Sequence, residues 1–185
     1  MKGGDPITDL AADAEVSLDR DIFFRTLLRN LSGTLEDTVG LKLAEGYIST
    51  VGGEVGRWLD GEYRVGLGAL SLSADQVADV CIDLKKRIGG DFSLISADDR
   101  KMVFGNTTCP FGEMVEGRPS LCMMTSNVFG RITADNLGYA RVELDETIAA
   151  GARGCRVVVH LSPGGNDAAT GREYYKMNDT GPGGD

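Results

Sequence analysis

The chain has 185 residues, of which 42% are hydrophobic and 25% charged, with a formal net charge of -9, values that fit one globular domain with its own core. That charge argues against nucleic acid as a direct partner, because phosphate binding needs a basic surface. The first residues carry no basic segment followed by an apolar run, and no apolar stretch approaches the ~20 residues of a membrane span, so a cytoplasmic chain without membrane contact is expected.

Residues 1–18 are small, acidic and aperiodic and read as a mobile arm. An amphipathic pattern starts at Asp19, with Phe24, Leu28, Leu31 and Leu35 at spacings of four, three and four, which predicts a helix with one buried stripe. Leu43, Tyr47, Val51, Val55 and Leu59 then repeat every fourth residue and predict a second helix. Gly46, Gly52, Gly53 and Gly56 within it each cost about 0.5–1 kcal/mol against alanine, so close helix packing is expected. VGGEVG matches neither the dinucleotide fingerprint nor the Walker pattern. Residues 60–72 read as a loop with a short extended segment.

Ser73 and Gln76 form a capping box for a third helix, whose apolar stripe is Val77, Val80, Cys81, Leu84 and Ile88 and which stops at Gly89-Gly90. Lys85, Lys86 and Arg87 favour its C-terminal end through the helix dipole. Cys81 on that stripe reads as a packed, inert thiol. Residues 92–96 and 101–104 flank Ala97-Asp98-Asp99-Arg100 as a hairpin. A fourth helix begins near Pro119 and runs to Gly138, with Leu121, Met124, Val128 and Ile132 on its buried face. Its first turn holds Cys122, where free amides and the dipole favour a thiolate.

Two further strands follow, one with Ala140, Val142 and Leu144 inward and one from Cys155 to Leu161. Cys155 and His160, the one histidine, have opposite parity on the latter, so they face opposite sides of the sheet and His160 reads as structural. Residues 163–185 read as a flexible Gly/Asn/Asp-rich tail with Tyr174 and Tyr175 as the only anchors. The expected fold is α+β, with N-terminal helices packed on an antiparallel sheet built from two β-hairpins separated by a helix. Residues 19–162 form its single domain.

Cys109, Cys122 and Cys155 all fall at element ends, where binding groups converge. Three cysteines with a carboxylate, histidine or water suit zinc, and four sulfurs suit zinc or an iron-sulfur cluster. Twelve residues separate Cys109 from Cys122 and thirty-two separate Cys122 from Cys155, so no CxxC knuckle is present, and a shared redox site, unconnected structural cysteines or a catalytic cysteine stay open. Met114, Met123, Met124, Phe111 and Phe129 surround the nearer cysteines, and either pack as core or line an apolar pocket, for which Phe111, Met124 and Phe129 are the ligand-binding candidates.

Cys109-Pro110-Phe111-Gly112 after a strand, Leu121-Cys122-Met123-Met124 at a helix start and Gly154-Cys155 in a late hairpin resemble the methanogen output domain family over residues 19–162. More loosely the chain is similar to vinyl-reductase-type small-molecule-binding sensory domains. That resemblance implies a signalling or sensory module with Cys109, Cys122 and Cys155 as its site. The glutamate that joins the cysteines in metal-binding relatives implies Glu113 as a fourth ligand. The function expected from this is a module that senses a small apolar ligand, a metal or a redox cofactor. It would pass the change to a signalling protein partner through its helices, across a homodimer, without turnover. The alternatives are a cysteine-dependent hydrolase and a non-catalytic structural adaptor.

Overall fold

The computed structural model describes residues 14–164 and 170–177; the first thirteen residues of the expected arm and most of the expected tail lie outside the described residues. Asp19 caps α1 (Arg20–Val39), its carboxylate accepting the Ile22 N–H at 2.8 Å. Gly40 alone, at φ 80, separates α1 from α2 (Leu41–Leu67), a left-handed bend that a residue with a Cβ adopts only at a cost. The capping box at Ser73 and Gln76 opens α3 (Ala74–Arg87), as the sequence predicts. Strands β1 (Ser93–Ala97) and β2 (Lys101–Asn106) follow, joined by a turn in which Asp98 accepts both the Arg100 and Lys101 N–H groups at 2.8 Å. Two 3-10 turns lead into α4 (Cys122–Leu137). β3 (Tyr139–Glu146), β4 (Cys155–His160) and β5 (Arg172–Tyr175) complete the chain.

The fold is α+β. The two expected hairpins join through β2 and β4 into one antiparallel sheet with the order β1-β2-β4-β3-β5. Met102, Phe104, Val142, Val157 and Val159 cover its inner face and meet Val77, Val80, Cys81 and Leu84 of α3 and Phe129 and Ile132 of α4. Phe129 stacks edge-on against both Phe92 and Phe104, with ring centroids 5.6 and 5.1 Å away. Residues Ser126 to Ala134 of α4 are all buried, because the helix lies between the sheet on one side and α2 on the other.

Four sequence expectations change. Residues 60–67, expected in a loop, continue α2; Gly61 and Gly66 face open space there and do not end the helix. Part of the expected tail is the edge strand β5, registered Tyr139↔Tyr175 to Val142↔Arg172, with Tyr174 buried. On α1, Phe24, Leu28 and Leu31 of the predicted buried stripe are exposed, while Ser32 and Gly33 are buried. On α2, Leu43, Tyr47 and Val51 are exposed, and the buried face is Ala44, Ser49, Gly52, Gly56 and Asp60. Small residues let α2 approach α4 closely: a Cβ on Gly52 would lie 2.8 Å from Asn127 Cβ, and one on Gly56 2.8 Å from Arg131 Cβ. Close packing explains those two glycines; Gly46 and Gly53 face open space.

Candidate functional site

Three elements bring three cysteines to one place. Cys109 follows β2 at the start of a loop, Cys122 opens α4, Cys155 opens β4, and all three line a cavity of ≈ 20 Å³ between the loop, α4 and the β3–β4 connection. That volume holds about one water molecule or one ion. Phe92, Phe111, Val115, Leu144 and Ile148 give the cavity apolar walls, while Thr125, Thr147 and Asn106 bring polar groups to it. Asp91 holds the loop that delivers Cys109: its carboxylate accepts the Thr107 and Thr108 N–H groups at 2.9 and 2.7 Å. Desolvation opposes the charge on Asp91, but these hydrogen bonds hold its carboxyl below the usual range. Gly154 is required where β4 begins, because a Cβ there would strike the carbonyl oxygen of Asn106.

The Ile148 N–H donates to Cys155 Sγ at 3.4 Å, and the Phe111 backbone and the Thr147 side chain favour the ionised forms of Cys109 and Cys122. Burial nonetheless dominates. It pushes the Cys109 and Cys155 thiols up and, with the neighbouring Cys155 and Cys109, pushes Cys122 up to about 12. The thiolate expected at Cys122 from its place in the first helical turn is thus overridden by desolvation.

The remaining predicted residues divide. Phe111 lines the cavity, whereas Phe129 is fully buried in the main core and Met124 packs against that core. Glu113 is exposed on a 3-10 turn and is not among the cavity walls. Among the described residues no three His, Cys, Asp or Glu side chains stand at metal-ligand spacing. His160 sits beside Glu143, Nε2 to Oε2 3.2 Å, and does not line the cavity. Cys81 is buried in the core, its thiol pushed up to about 12 by desolvation.

Sequence reasoning missed Lys85. Its side chain is 3% exposed, its Nζ donates to Thr125 Oγ1 at 2.7 Å, and it lies 5.3 and 5.5 Å from the ring centroids of Phe92 and Phe129. Among the described residues no carboxylate pairs with it, and desolvation pulls its ammonium down to about 8, opposed by the electrostatic pull of Cys109, Cys81, Cys155 and Cys122. The signal was present in the sequence, since Lys85 lies four residues after Cys81 and continues the buried stripe of α3.

The cysteine loop is tied to α1. Arg29 donates to the carbonyl oxygens of Met114 and Glu116 at 2.7 and 2.8 Å, and Glu36 meets Arg118 at 3.3 Å and accepts the Ser120 hydroxyl. Away from this site, α2 and α3 both pack on α4 but scarcely on each other, which leaves an open groove of ≈ 720 Å³ walled by Trp58, Leu59, Tyr63, Val80 and Leu84.

The family model of methanogen output domain 1 matches residues 27–160. Among solved structures the chain is similar to the phenol-responsive sensory domain of the transcription activator PoxR, determined with phenol. The identity is 17%, the TM-score 0.58 and the coverage 74% of each chain. It is also similar to trafficking protein particle complex subunit 3 from Naegleria fowleri, covalently bound to palmitic acid, at 14% identity and a TM-score of 0.55. That match covers 76% of this chain and 96% of the other. At such identities the likeness is one of fold. No curated protein matches the chain.

Proposed function

The chain belongs to the methanogen output domain 1 family, and from that membership we propose that it is a sensory module of a signalling system, reading occupancy or oxidation of its cysteine site. The observation that carries this reading is the convergence of Cys109, Cys122 and Cys155 on one cavity of ≈ 20 Å³. A space of that size suits a single ion, zinc above all, better than an iron-sulfur cluster or an organic ligand. The donor types suit such an ion: three sulfurs on one cavity, which a turn of the side chains would bring to ligand spacing, with Cys155 already accepting a hydrogen bond that would steady a thiolate. Bound there, the ion would supply the positive charge that ionises the thiols.

The route outward runs through α1. Arg29 and Glu36 hold α1 to the loop between Cys109 and Cys122, so a shift in that loop moves a helix whose outer face carries exposed Phe23, Phe24, Leu27, Leu28 and Leu31. A contiguous apolar face of this kind marks a protein–protein contact. A second copy of the chain is the proposed occupant, and a signalling protein would read the change in that assembly.

Metal and sulfide analysis, with an absorption spectrum, of protein purified without oxygen and without added metal tests the site. Near-stoichiometric zinc supports it. Protein free of metal, and taking up none when zinc is supplied, would reduce the cysteines to core or redox thiols. The groove between α2 and α3 favours a second reading, in which a small aromatic ligand binds there. Its ≈ 720 Å³ lies in the range of organic-ligand sites, and the similar PoxR domain responds to phenol. A thermal-shift screen with phenols, repeated on Trp58→Ala, separates this reading from the first.

A further inference from the structure

Two buried groups beside the cysteine cavity lack the partners that burial normally demands. Lys85 carries an ammonium group sealed from water with one neutral hydrogen-bond partner and no carboxylate among the described residues. An isolated buried charge is expensive unless something negative accompanies it. Asn106 is 6% exposed and lines the cavity opposite Cys155 in the β2–β4 register. Its Nδ2 is committed to the Thr108 carbonyl at 2.9 Å, which fixes the amide, and its Oδ1 is buried with no hydrogen-bond partner. A native fold leaves few such orphans.

We propose that Lys85 and Asn106 complete the cysteine site, Lys85 as its fixed counter-charge and Asn106 Oδ1 as its neutral fourth donor, so that it selects a divalent thiophilic ion held by three thiolates. The inference rests on the reading of Cys109, Cys122 and Cys155 as a metal site. Three thiolates around a divalent ion leave a single negative charge, which one ammonium offsets. A monovalent ion with three thiolates leaves two, and a carboxylate as fourth ligand would add one more, so neither matches. A neutral oxygen donor keeps the balance, and Glu113, exposed and away from the cavity walls, is not needed. The three protons leave the thiols for solvent when the ion enters.

The test is a Co2+ titration of the full chain, reduced and metal-free, read by absorption. The wild type is expected to bind one equivalent, with a thiolate-to-cobalt charge-transfer band and the visible bands of four-coordinate Co2+. Lys85→Met is expected to bind Co2+ at least tenfold more weakly while its metal-free form melts at a higher temperature than wild type, because removing the charge harms only the loaded state. A merely structural lysine would not give those opposite signs. Lys85→Gln, which keeps a hydrogen-bonding group for Thr125, serves as the second variant should the methionine not fold. Asn106→Ala is expected to weaken binding about tenfold and to shift the visible bands. Unchanged Co2+ affinity in both Lys85 variants overturns the counter-charge, and unchanged bands in Asn106→Ala overturn the fourth donor. A wild type that takes up no Co2+ removes the metal reading itself, and this inference with it.

Discussion

Lys85 makes the metal-free protein sensitive to alkali in a direction opposite to that of its cysteines. Its folded pKa is about 8, against 10.5 when exposed, so between those values the unfolded chain holds a proton that the folded one has released, and stability rises with pH. The thiols run the other way. Their folded values lie above the ordinary 9.0, so the stability they confer is complete below about 9 and is lost as the unfolded chain ionises above it. Between pH 8 and 9 the unfolded thiols, with an ordinary value of 9.0, begin to ionise as well, so the two trends largely offset each other in the wild type. The lysine is isolated by difference: in urea denaturation under reducing conditions Lys85→Met should be more stable than wild type by on the order of 3 kcal/mol at pH 7, and that advantage should shrink by about 1 kcal/mol from pH 8 to 9. A difference that stays constant between pH 8 and 9 would mean that the ammonium is not desolvated.

At this scale the cysteines were legible, because their placement at element ends follows from local pattern alone. Lys85 and Asn106 were not. A lysine near a helix C-terminus has a sufficient local explanation in the dipole, and an asparagine after a strand reads as a turn. Only their positions within the stripe of Cys81 and within the inward alternation of Met102 and Phe104 distinguish them.

At the scale of elements, what periodicity can tell is which residues share a face; it cannot tell which face the fold covers. The apolar stripes of α1 and α2 were found correctly and assigned to the interior, but on α2 the interior takes the adjacent small-residue face, about 100° round the helix, with Val55 and Leu59 of the stripe at its border, because Gly52 and Gly56 bring the backbone against α4. Two alanine substitutions separate the roles of the glycines. Gly56→Ala, whose Cβ would lie 2.8 Å from Arg131 Cβ and 3.3 Å from Val128 Cα, should destabilise by about 1–3 kcal/mol. Gly53→Ala, which meets nothing within 4 Å, should stabilise by about 0.5–1 kcal/mol. Equal effects in thermal melts would deny the close α2–α4 contact. β5 escaped notice for a different reason: four residues among glycines and polar groups carry no periodic signal, and the strand exists because Tyr174 finds a prepared seat.

For the molecule as a whole, the exposed apolar residues of α1 make a prediction about assembly. Leu28 and Leu31 are 39% and 57% exposed, one helical turn apart, and in a lone chain both would face water. Light scattering after size exclusion should give twice the chain mass for wild type and the chain mass for Leu28→Glu together with Leu31→Glu, with far-ultraviolet dichroism unchanged. A wild-type monomer at micromolar concentration would leave that face to a different protein. The net charge of -9 works against self-association at low salt, so the dimer should tighten as salt is added.

The seat of Tyr174 has a consequence for chain continuity. Its ring fills the notch at Gly130, where a Cβ would overlap it, and its hydroxyl meets Ser126 Oγ at 3.0 Å. β5 is otherwise held by its ladder to β3, Arg131 to the Tyr175 carbonyl, the Tyr175 ring edge-on against Tyr139, rim contacts of Arg172 and Glu173, and hydrogen bonds of the flanking Thr170, Lys176 and Met177. Such a strand is a plug that need not be covalently continuous with its socket. A chain ending at Gly164 should be recoverable by a synthetic peptide spanning Thr170 to Met177, and the same peptide with Tyr174→Ala should fail to bind. The domain thus lends itself to being split into a large receptor and a short reporter strand.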